Sequence, residues 1–548
     1  MSDIKNINTT CFEDQRPGTS GLRKKVSVFQ QPHYLENFIQ SLFNTLEGLP
    51  EKLQGKTLVL GGDGRFHNRK AIQVIVKMAA ANGLKRLLIG KGGLLSTPAV
   101  SCLIRKHQTL GGIVLSASHN PGGPKADFGI KYNISNGGPA PEKITEALYQ
   151  QTLSLQQYKI LDAPNIDLDQ LGEQNIGSLC VEIIDPVEDY ANMMEAIFDF
   201  EKIRNMISQG FRLSFDAMHA ITGPYANEIL VNRLGANPQS IINGIPLTDF
   251  GGGHPDPSLD HAKELAAQMF TEDAPDFGAA SDGDGDRNMI LGKNFFISPS
   301  DSLAILTANA QLVPAYRDGL SGVARSMPTS QAVDLVADAL DIPCFETPTG
   351  WKFFGNLLDS NKITLCGEES FGNGSNHIRE KDGLWAVLFW LNIIASRGQN
   401  PEQICRSHWK QFGRHYYTRH DYEALDTDIA DIIVSSLRQQ LNTLTGNSYA
   451  ERRVCLSDEF SYTDPVDHSI SSQQGIRICF EDSARIIFRL SGTGTSGATL
   501  RIYIEAYEEN HDKHDLDTQF VLKSLIETAN ELSGVQLHSK RDTPSAIT

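Results

Sequence analysis

With 548 residues the chain is far longer than the roughly 250–300 at which one hydrophobic core stops growing, so three to five domains are expected. A net charge of −17 argues against nucleic acid and anionic membranes as partners, whose phosphates would be repelled, but leaves room for an anionic small substrate held by local arginines. The eight scattered cysteines contain no CxxC pair, the amino terminus is polar, and the longest apolar run ("LWAVLFWLNIIA", 384–395) is too short to span a bilayer, so a soluble, reduced, cytoplasmic protein with no disulfide framework, signal peptide or membrane span is expected.

In chain order, "KTLVLGG" reads as a strand and "AIQVIVKMAAANG" as a helix ending near Gly83. "KRLLIG" comes next as a strand, "TPAVSCLIRKH" as a helix and "GGIVLSAS" as a third strand. That order predicts a mainly parallel sheet, whose ligands gather beyond the carboxyl ends of its strands. Ser118 stands at such an end, in "LSASHNPGG", as an exposed hydroxyl followed by an imidazole, an amide and a Pro-Gly-Gly turn. The grammar returns in "FRLSFDAMHA", "GPYANEILVNRLGA" and "DFGAAS", and again in "GVARSMP", "SQAVDLVADAL", "PCFETP", "GWKFFGNLLDS" and "ITLCGEESF". Each copy runs from an apolar strand into a Gly- and charge-rich loop. The last 140 or so residues differ, with helices near 425–443 and 516–533 flanking alternating strands. The expected architecture is three related α/β domains with mixed, mainly parallel sheets (1–192, 193–302, 303–407) and a C-terminal α+β domain (408–548) around one central cleft.

"SDGDGDRN" places Asp282, Asp284 and Asp286 at alternate positions, which share one face of an extended chain. Three hard oxygen donors without His or Cys suit Mg²⁺ or a similar cation. An acidic turn is the plain alternative, and an EF-hand fails because Arg287 and Lys293 fill its glycine and glutamate positions. "GKT" at 55–57 is no P-loop, since Pro50 occupies the required glycine position. "GTGTSG" fits G-x-G-x-x-G, but a strand comes after it where a dinucleotide site needs a helix. With Ser491, Thr493, Arg489 and Arg501 it suits an anion nest, or else is a plain hairpin loop. "CGEESFGNGSNHIREKDG" is rich in polyol-binding groups and could equally be a solvated loop. "RPGTSGLRKK" carries hydroxyls and a basic run.

Together these segments resemble the α-D-phosphohexomutase family, in its phosphoglucomutase branch. "ASHNPGG" is similar to the family's phosphoserine loop, "DGDGDR" to its magnesium loop, "GEESFG" to its sugar loop and "RLSGTGT" to its phosphate loop; "GTSGLR" and "DFGIKYN" match further signatures. The one departure is Ser116, where the family commonly has threonine. The resemblance implies reversible interconversion of α-D-glucose 1-phosphate and glucose 6-phosphate through a phosphoserine at Ser118 and glucose 1,6-bisphosphate. One Mg²⁺ per subunit would be held by Ser118, Asp282, Asp284 and Asp286. Arg23 and Arg287 would neutralise charge, and Lys131 would move the proton with His119 nearby. Thr19 and Ser20 would contact substrate, Thr349, Glu368, Ser370 and Lys381 the sugar, and Arg489, Ser491, Gly492, Thr493 and Arg501 the distal phosphate. Sugar phosphates are the expected partners, with no nucleic acid or membrane, and the chain is expected to be a monomer, with a dimer as the alternative. Competing readings are a mannose- or glucosamine-phosphate mutase, a metal-dependent phosphatase, and a non-catalytic relative.

Overall fold

The largely apolar run Thr57–Gly62 lies at the centre of a seven-stranded sheet, and the strand ends of that sheet fix where the motif-bearing loops emerge. The structure is a computed structural model that describes residues 3–18, 20–492 and 497–548. It divides into two units: Met1–Ile297 with Asn309–Gly319 and Ser370–Glu402, and Ser298–Ala308 with Leu320–Glu369 and Gln403–Thr548.

In the first unit the sheet runs Leu22–Lys25, Asp127–Ile134, Gly111–Leu115, Thr57–Gly62, Arg86–Leu94, Leu179–Ile184, Gly172–Ile176. The four strands from Gly111–Leu115 to Leu179–Ile184 are parallel, and antiparallel strands close both edges. Helix Asn68–Ala81 buries Ile72, Ile75, Val76 and Ala79, the 3.6-residue spacing of a core-facing stripe. Helix Thr97–His107 begins at Ser96, whose hydroxyl accepts the Ala99 N–H at 3.2 Å, has proline in its first turn, and ends on Arg105, Lys106 and His107, which suit its negative end.

A second, mixed sheet orders Ile241–Ile242, Leu213–Asp216, Phe277–Ser281, Asn288–Gly292 and Phe295–Ile297, the first three parallel. The helix expected over 223–236 is in part a π-helix, Asn227–Arg233, directly after Thr222–Ala226. Its wider turn lets the consecutive Ile229 and Leu230 both face the core. The apolar run forms the helix Gly383–Arg397, with Trp385 and Trp390 fully buried. Among the described residues no helix is long and apolar enough to cross a membrane.

In the second unit the strands Cys344–Thr347, Val323–Ser326 and Leu365–Glu368 are parallel neighbours. The C-terminal sheet pairs Arg452–Glu459, Ile476–Phe480, Arg485–Gly492, Ala498–Glu508 and Arg414–Leu425 antiparallel, covered by helices Thr427–Leu444 and Lys523–Ser533. A buried charge ties the two sheets of this unit together. Glu505 accepts from Arg485 Nε at 2.9 Å, His415 Nδ1 at 2.8 Å, the Gln331 N–H at 2.8 Å and the Ser330 hydroxyl.

Burial acts to raise the Glu505 pKa, but Arg485 and His415 outweigh it and hold the carboxyl well below the usual range. Its folded pKa therefore lies below its unfolded one. The stabilisation is complete above the ordinary carboxylate pKa and is lost as pH falls through that value toward the folded one. Glu505→Gln should cost about 3–5 kcal/mol at neutral pH, by urea unfolding, because it removes the nearer counter-charge of buried Arg485 and leaves only Glu346, 3.6 Å away. It should also flatten the fall in stability on acidification.

Candidate active site

Strand Gly111–Leu115 carries the chain into Ser116–Ser118 at its carboxyl end, where the sequence places the reactive hydroxyl. Ser118 is buried rather than exposed, because its Oγ donates to Asp282 Oδ2 at 2.8 Å. His119 Nδ1 lies 3.4 Å from the same oxygen. Ser118 has φ +50°, a left-handed conformation that costs a side-chain-bearing residue about 1–2 kcal/mol.

Its neighbours hold that backbone. The Ser118 N–H donates to Ser116 Oγ at 2.7 Å, and Ser116 Oγ donates to Asp63 Oδ2 at 2.6 Å. Asp63 pairs with Arg65 at 2.8 Å, both side chains fully buried, and Arg65 reaches the Ser118 carbonyl at 2.7 Å and the Asp127 carbonyl at 3.1 Å. The motifs single out neither Asp63 nor Arg65. Yet "GGDGRF" lies at the carboxyl end of the strand Thr57–Gly62, the rule that locates Ser118.

The acidic loop leaves the strand Phe277–Ser281, also at its carboxyl end. Its three carboxylates converge, with one oxygen of each within 4.8 Å of the others and all three residues buried. They do so through a turn and not through an extended chain. Gly285 adopts φ +82°, and the N–H groups of Asp286 and Arg287 fold back onto Asp282 Oδ1 at 2.9 and 3.0 Å. A Cβ at Gly283 would stand 2.4 Å from the Ser118 carbonyl oxygen, so only glycine lets the two loops touch.

Each carboxylate has its own support. Thr97 Oγ1 donates to Asp284 Oδ2 at 2.6 Å, and the Thr97 N–H to the Asp284 carbonyl at 2.9 Å. Lys381 Nζ lies 3.1 Å from Asp286 Oδ1. Burial, then Asp286 and Asp284, push the Asp282 carboxyl well up. Burial also opposes ionisation of Asp284, but Lys131, Thr97, Lys381 and Arg23 hold it below its usual range. Asp284 Oδ1 is buried without a hydrogen-bond partner. An orphaned carboxylate oxygen in a cluster of hard donors fits a divalent cation such as Mg²⁺.

Cations surround the cluster. Arg23, on strand Leu22–Lys25, has its pKa lowered chiefly by burial, and its Nε and that of Arg287 are buried without hydrogen-bond partners. Arg287 Nη1 reaches Asp256 at 3.2 Å. Burial, then Arg287 and Arg23, hold the His119 pKa well below its ordinary value, so its ring is neutral. Lys131 Nζ donates to Glu380 Oε1 at 2.6 Å, and Asn133 Nδ2 to the same oxygen at 2.9 Å. Glu380, Arg379 and Asp382 are buried, which rules out the solvated-loop reading for this segment. Asp382 accepts the Trp385 N–H at 3.0 Å, capping the apolar helix, and the Tyr190 hydroxyl at 2.5 Å. Ser370 is half-buried, while Ser20 is exposed in the turn closed by Gly18 and Gly21. Thr19 lies outside the described residues.

In the second unit Glu368 ends the strand Leu365–Glu368 and accepts the Gly350 N–H at 2.8 Å, while Thr349 Oγ1 is buried without a hydrogen-bond partner. Arg489 and Arg501 stand directly opposite on adjacent strands, and Asp421 stands opposite Arg501. Like charges so paired are destabilising unless an anion joins them. Arg419, which the motifs do not mark, pairs with Glu369 at 2.9 Å and Asp421 at 3.1 Å. Ser491 Oγ is buried and without a hydrogen-bond partner. Gly492 is the last residue of its strand, opposite Ala498; Thr493 lies outside the described residues.

Comparison with known proteins gives four matches in chain order. Residues 14–159, 188–294 and 299–412 match alpha/beta/alpha domains I, II and III of phosphoglucomutase/phosphomannomutase, and 414–545 match the phosphoglucomutase-1 C-terminal domain. A phosphoglucomutase of Rhizobium radiobacter is 58% identical over 545 residues, covering 100% of both chains. A cytoplasmic phosphoglucomutase of Pisum sativum is 52% identical over all of this chain and 99% of its own. The open form of the Paramecium phosphoprotein pp63/parafusin superposes with a TM-score of 0.92 at 45% identity, covering 100% of this chain and 99% of that one. Three consecutive α/β domains and a C-terminal domain with these matches settle the assignment: the chain belongs to the phosphoglucomutase/phosphomannomutase family and is an enzyme of its phosphoglucomutase branch, an intramolecular phosphotransferase.

Proposed function

We propose that the chain interconverts α-D-glucose 1-phosphate and glucose 6-phosphate, with Ser118 carrying the phosphoryl group and glucose 1,6-bisphosphate as the intermediate. The observation that carries this reading is the Ser118 hydroxyl at 2.8 Å from Asp282, one of three convergent buried carboxylates with an orphaned oxygen on Asp284. The names of the bacterial and pea relatives support glucose as the sugar, and the pea relative supports a cytoplasmic setting.

Asp282, Asp284 and Asp286, with an oxygen of the group on Ser118, would hold one Mg²⁺ per subunit. When bound, the ion neutralises charge on the phosphoryl oxygens. Phosphoryl transfer needs alignment and charge stabilisation more than covalent help. Arg23 and Arg287, with unpartnered Nε groups, supply further positive charge. Lys131, held by Glu380 at 2.6 Å, is assigned to move the proton of the attacking hydroxyl. Neutral His119 lies beside the Ser118 oxygen.

Thr349, Glu368, Ser370 and Lys381 are assigned to the sugar hydroxyls, and Thr19 and Ser20 to substrate contacts. Lys381 also steadies Asp286. Arg489, Ser491, Gly492, Thr493 and Arg501 are assigned to the second phosphate, which an opposed arginine pair would accept. The protein works as a monomer of four domains, with borders near residues 192, 302 and 407. Burial of Ser118 favours return of the phosphoryl group to sugar over release to water, which favours a mutase over a phosphatase.

Ser118→Ala should abolish both glucose 6-phosphate formation and labelling by a radiolabelled bisphosphate; a label that survives the substitution would reject Ser118 as the carrier. Thr97→Val removes the hydroxyl on Asp284 and should raise the Mg²⁺ concentration for half-maximal activity about 10–100-fold, with kcat at saturating Mg²⁺ retained. Arg501→Ala should raise KM for glucose 1-phosphate by tenfold or more with kcat nearly unchanged, because its phosphate is remote from the reacting one; a pure loss of kcat would contradict that placement.

A further inference from the structure

We propose that Asp63, Arg65 and Ser116 act together as a positioning clamp that holds Ser118 in the backbone conformation from which its oxygen can both give and receive a phosphoryl group. The inference rests on the reading of Ser118 as the carrier.

A serine in the left-handed region returns to an ordinary conformation unless its surroundings over-determine it. At Ser118 both peptide groups are fixed. Its N–H is bound by Ser116 Oγ at 2.7 Å and its carbonyl by Arg65 Nη2 at 2.7 Å. The two holds share one origin. Ser116 Oγ can accept from the Ser118 N–H in a fixed direction because its own proton is committed to Asp63 Oδ2 at 2.6 Å. Arg65 is aimed by the same carboxylate, its Nε donating to Oδ2 at 2.8 Å and to Oδ1 at 3.1 Å. Neither Asp63 nor Arg65 exposes any side-chain surface, so the pair meets neither solvent nor substrate. A buried ion pair is a poor source of net stability, and its use lies in fixing one geometry. Here it fixes the residue two positions along from Ser116.

The carrier must present its oxygen at one point twice in each cycle, once to lose the phosphoryl group and once to regain it. The clamp holds the Ser118 N–H and carbonyl and leaves Oγ to its bond with Asp282. It also gives a reason for a hydroxyl at 116, two residues from the carrier, that does not involve transfer to that hydroxyl. Threonine supplies the same hydroxyl with a stiffer χ1 and satisfies the same bonds.

The test compares Ser116→Ala, Ser116→Thr and Asp63→Asn by steady-state kinetics, by single-turnover loss of label from the phosphorylated enzyme, and by thermal melting. Ser116→Ala should lower kcat and the single-turnover rate about 10–100-fold, with KM for glucose 1-phosphate within about twofold and the label still on Ser118, the scale of a slight misplacement of a reacting atom. Ser116→Thr should return kcat to within about twofold of the unaltered enzyme. Asp63→Asn should lower both kcat and Tm, since it unpairs buried Arg65, so the lighter Ser116 variants carry the decision. Wild-type kcat in Ser116→Ala with the label on Ser118 would overturn the clamp alone. Labelling of the unaltered enzyme elsewhere would overturn both the clamp and the carrier reading.

Discussion

Three carboxylates gathered inside a protein repel one another, and the first unit is organised around making that arrangement tolerable. At about 4 Å and an effective dielectric near 20, each pair of charges costs roughly 4 kcal/mol. Every one of the three is therefore met by a different kind of support: peptide N–H groups for Asp282, the Thr97 hydroxyl for Asp284, the Lys381 ammonium for Asp286. The supports come from well-separated parts of the chain, which ties the segments at 97, 282–287 and 381 into one structure. They are also incomplete, since Asp282 is still pushed toward protonation and Asp284 retains an unpartnered oxygen. A cluster short of positive charge in this way is poised for a cation.

Sheet topology explains how such supports meet. The loops that carry Asp63 and Arg65, Ser96 and Thr97, and Ser116 and Ser118 leave three adjacent parallel strands at their carboxyl ends, and the acidic loop leaves a parallel strand of the second sheet at its own. Lys131 comes from the antiparallel neighbour Asp127–Ile134, where it lies opposite Val114. The contact between loops is backbone against backbone, Gly283 against the Ser118 carbonyl, and tolerates no side chain. Hence the glycine at 283 answers to packing, while the one at 285 answers to a left-handed turn.

The strand and helix order, the serine at a strand's carboxyl end and the acidic triplet were legible in the sequence because each is written locally, as a period, a turn signal or a short motif. The supporting residues are written across distance. Thr97 reads only as the start of a helix, and its bond to Asp284 joins residues 187 positions apart. Glu380 reads as part of a charged loop, yet it is buried against Lys131, 249 positions away. The convergence of the three aspartates was anticipated for the wrong reason: alternation on an extended strand, where the chain instead turns back on itself. Burial of Ser118 was not legible either, since what buries it is a loop 164 positions away.

The segment Arg379–Asp382 shows why charge is used where apolar residues would bury more easily. Four consecutive charged side chains take four separate tasks: Arg379 donates to the carbonyls of Asn376 and Ile378, Glu380 accepts from Lys131, Lys381 pairs with Asp286, and Asp382 caps the helix that begins at Gly383. Apolar side chains in their place would fill the volume without fixing direction, because hydrophobic contact is non-directional. Ion pairs and hydrogen bonds fix both partner and angle, and removing one member leaves the other buried and unpaired. Such a segment contributes little net stability and a large penalty for any other arrangement. That penalty suits a site whose chemistry depends on where a few atoms stand.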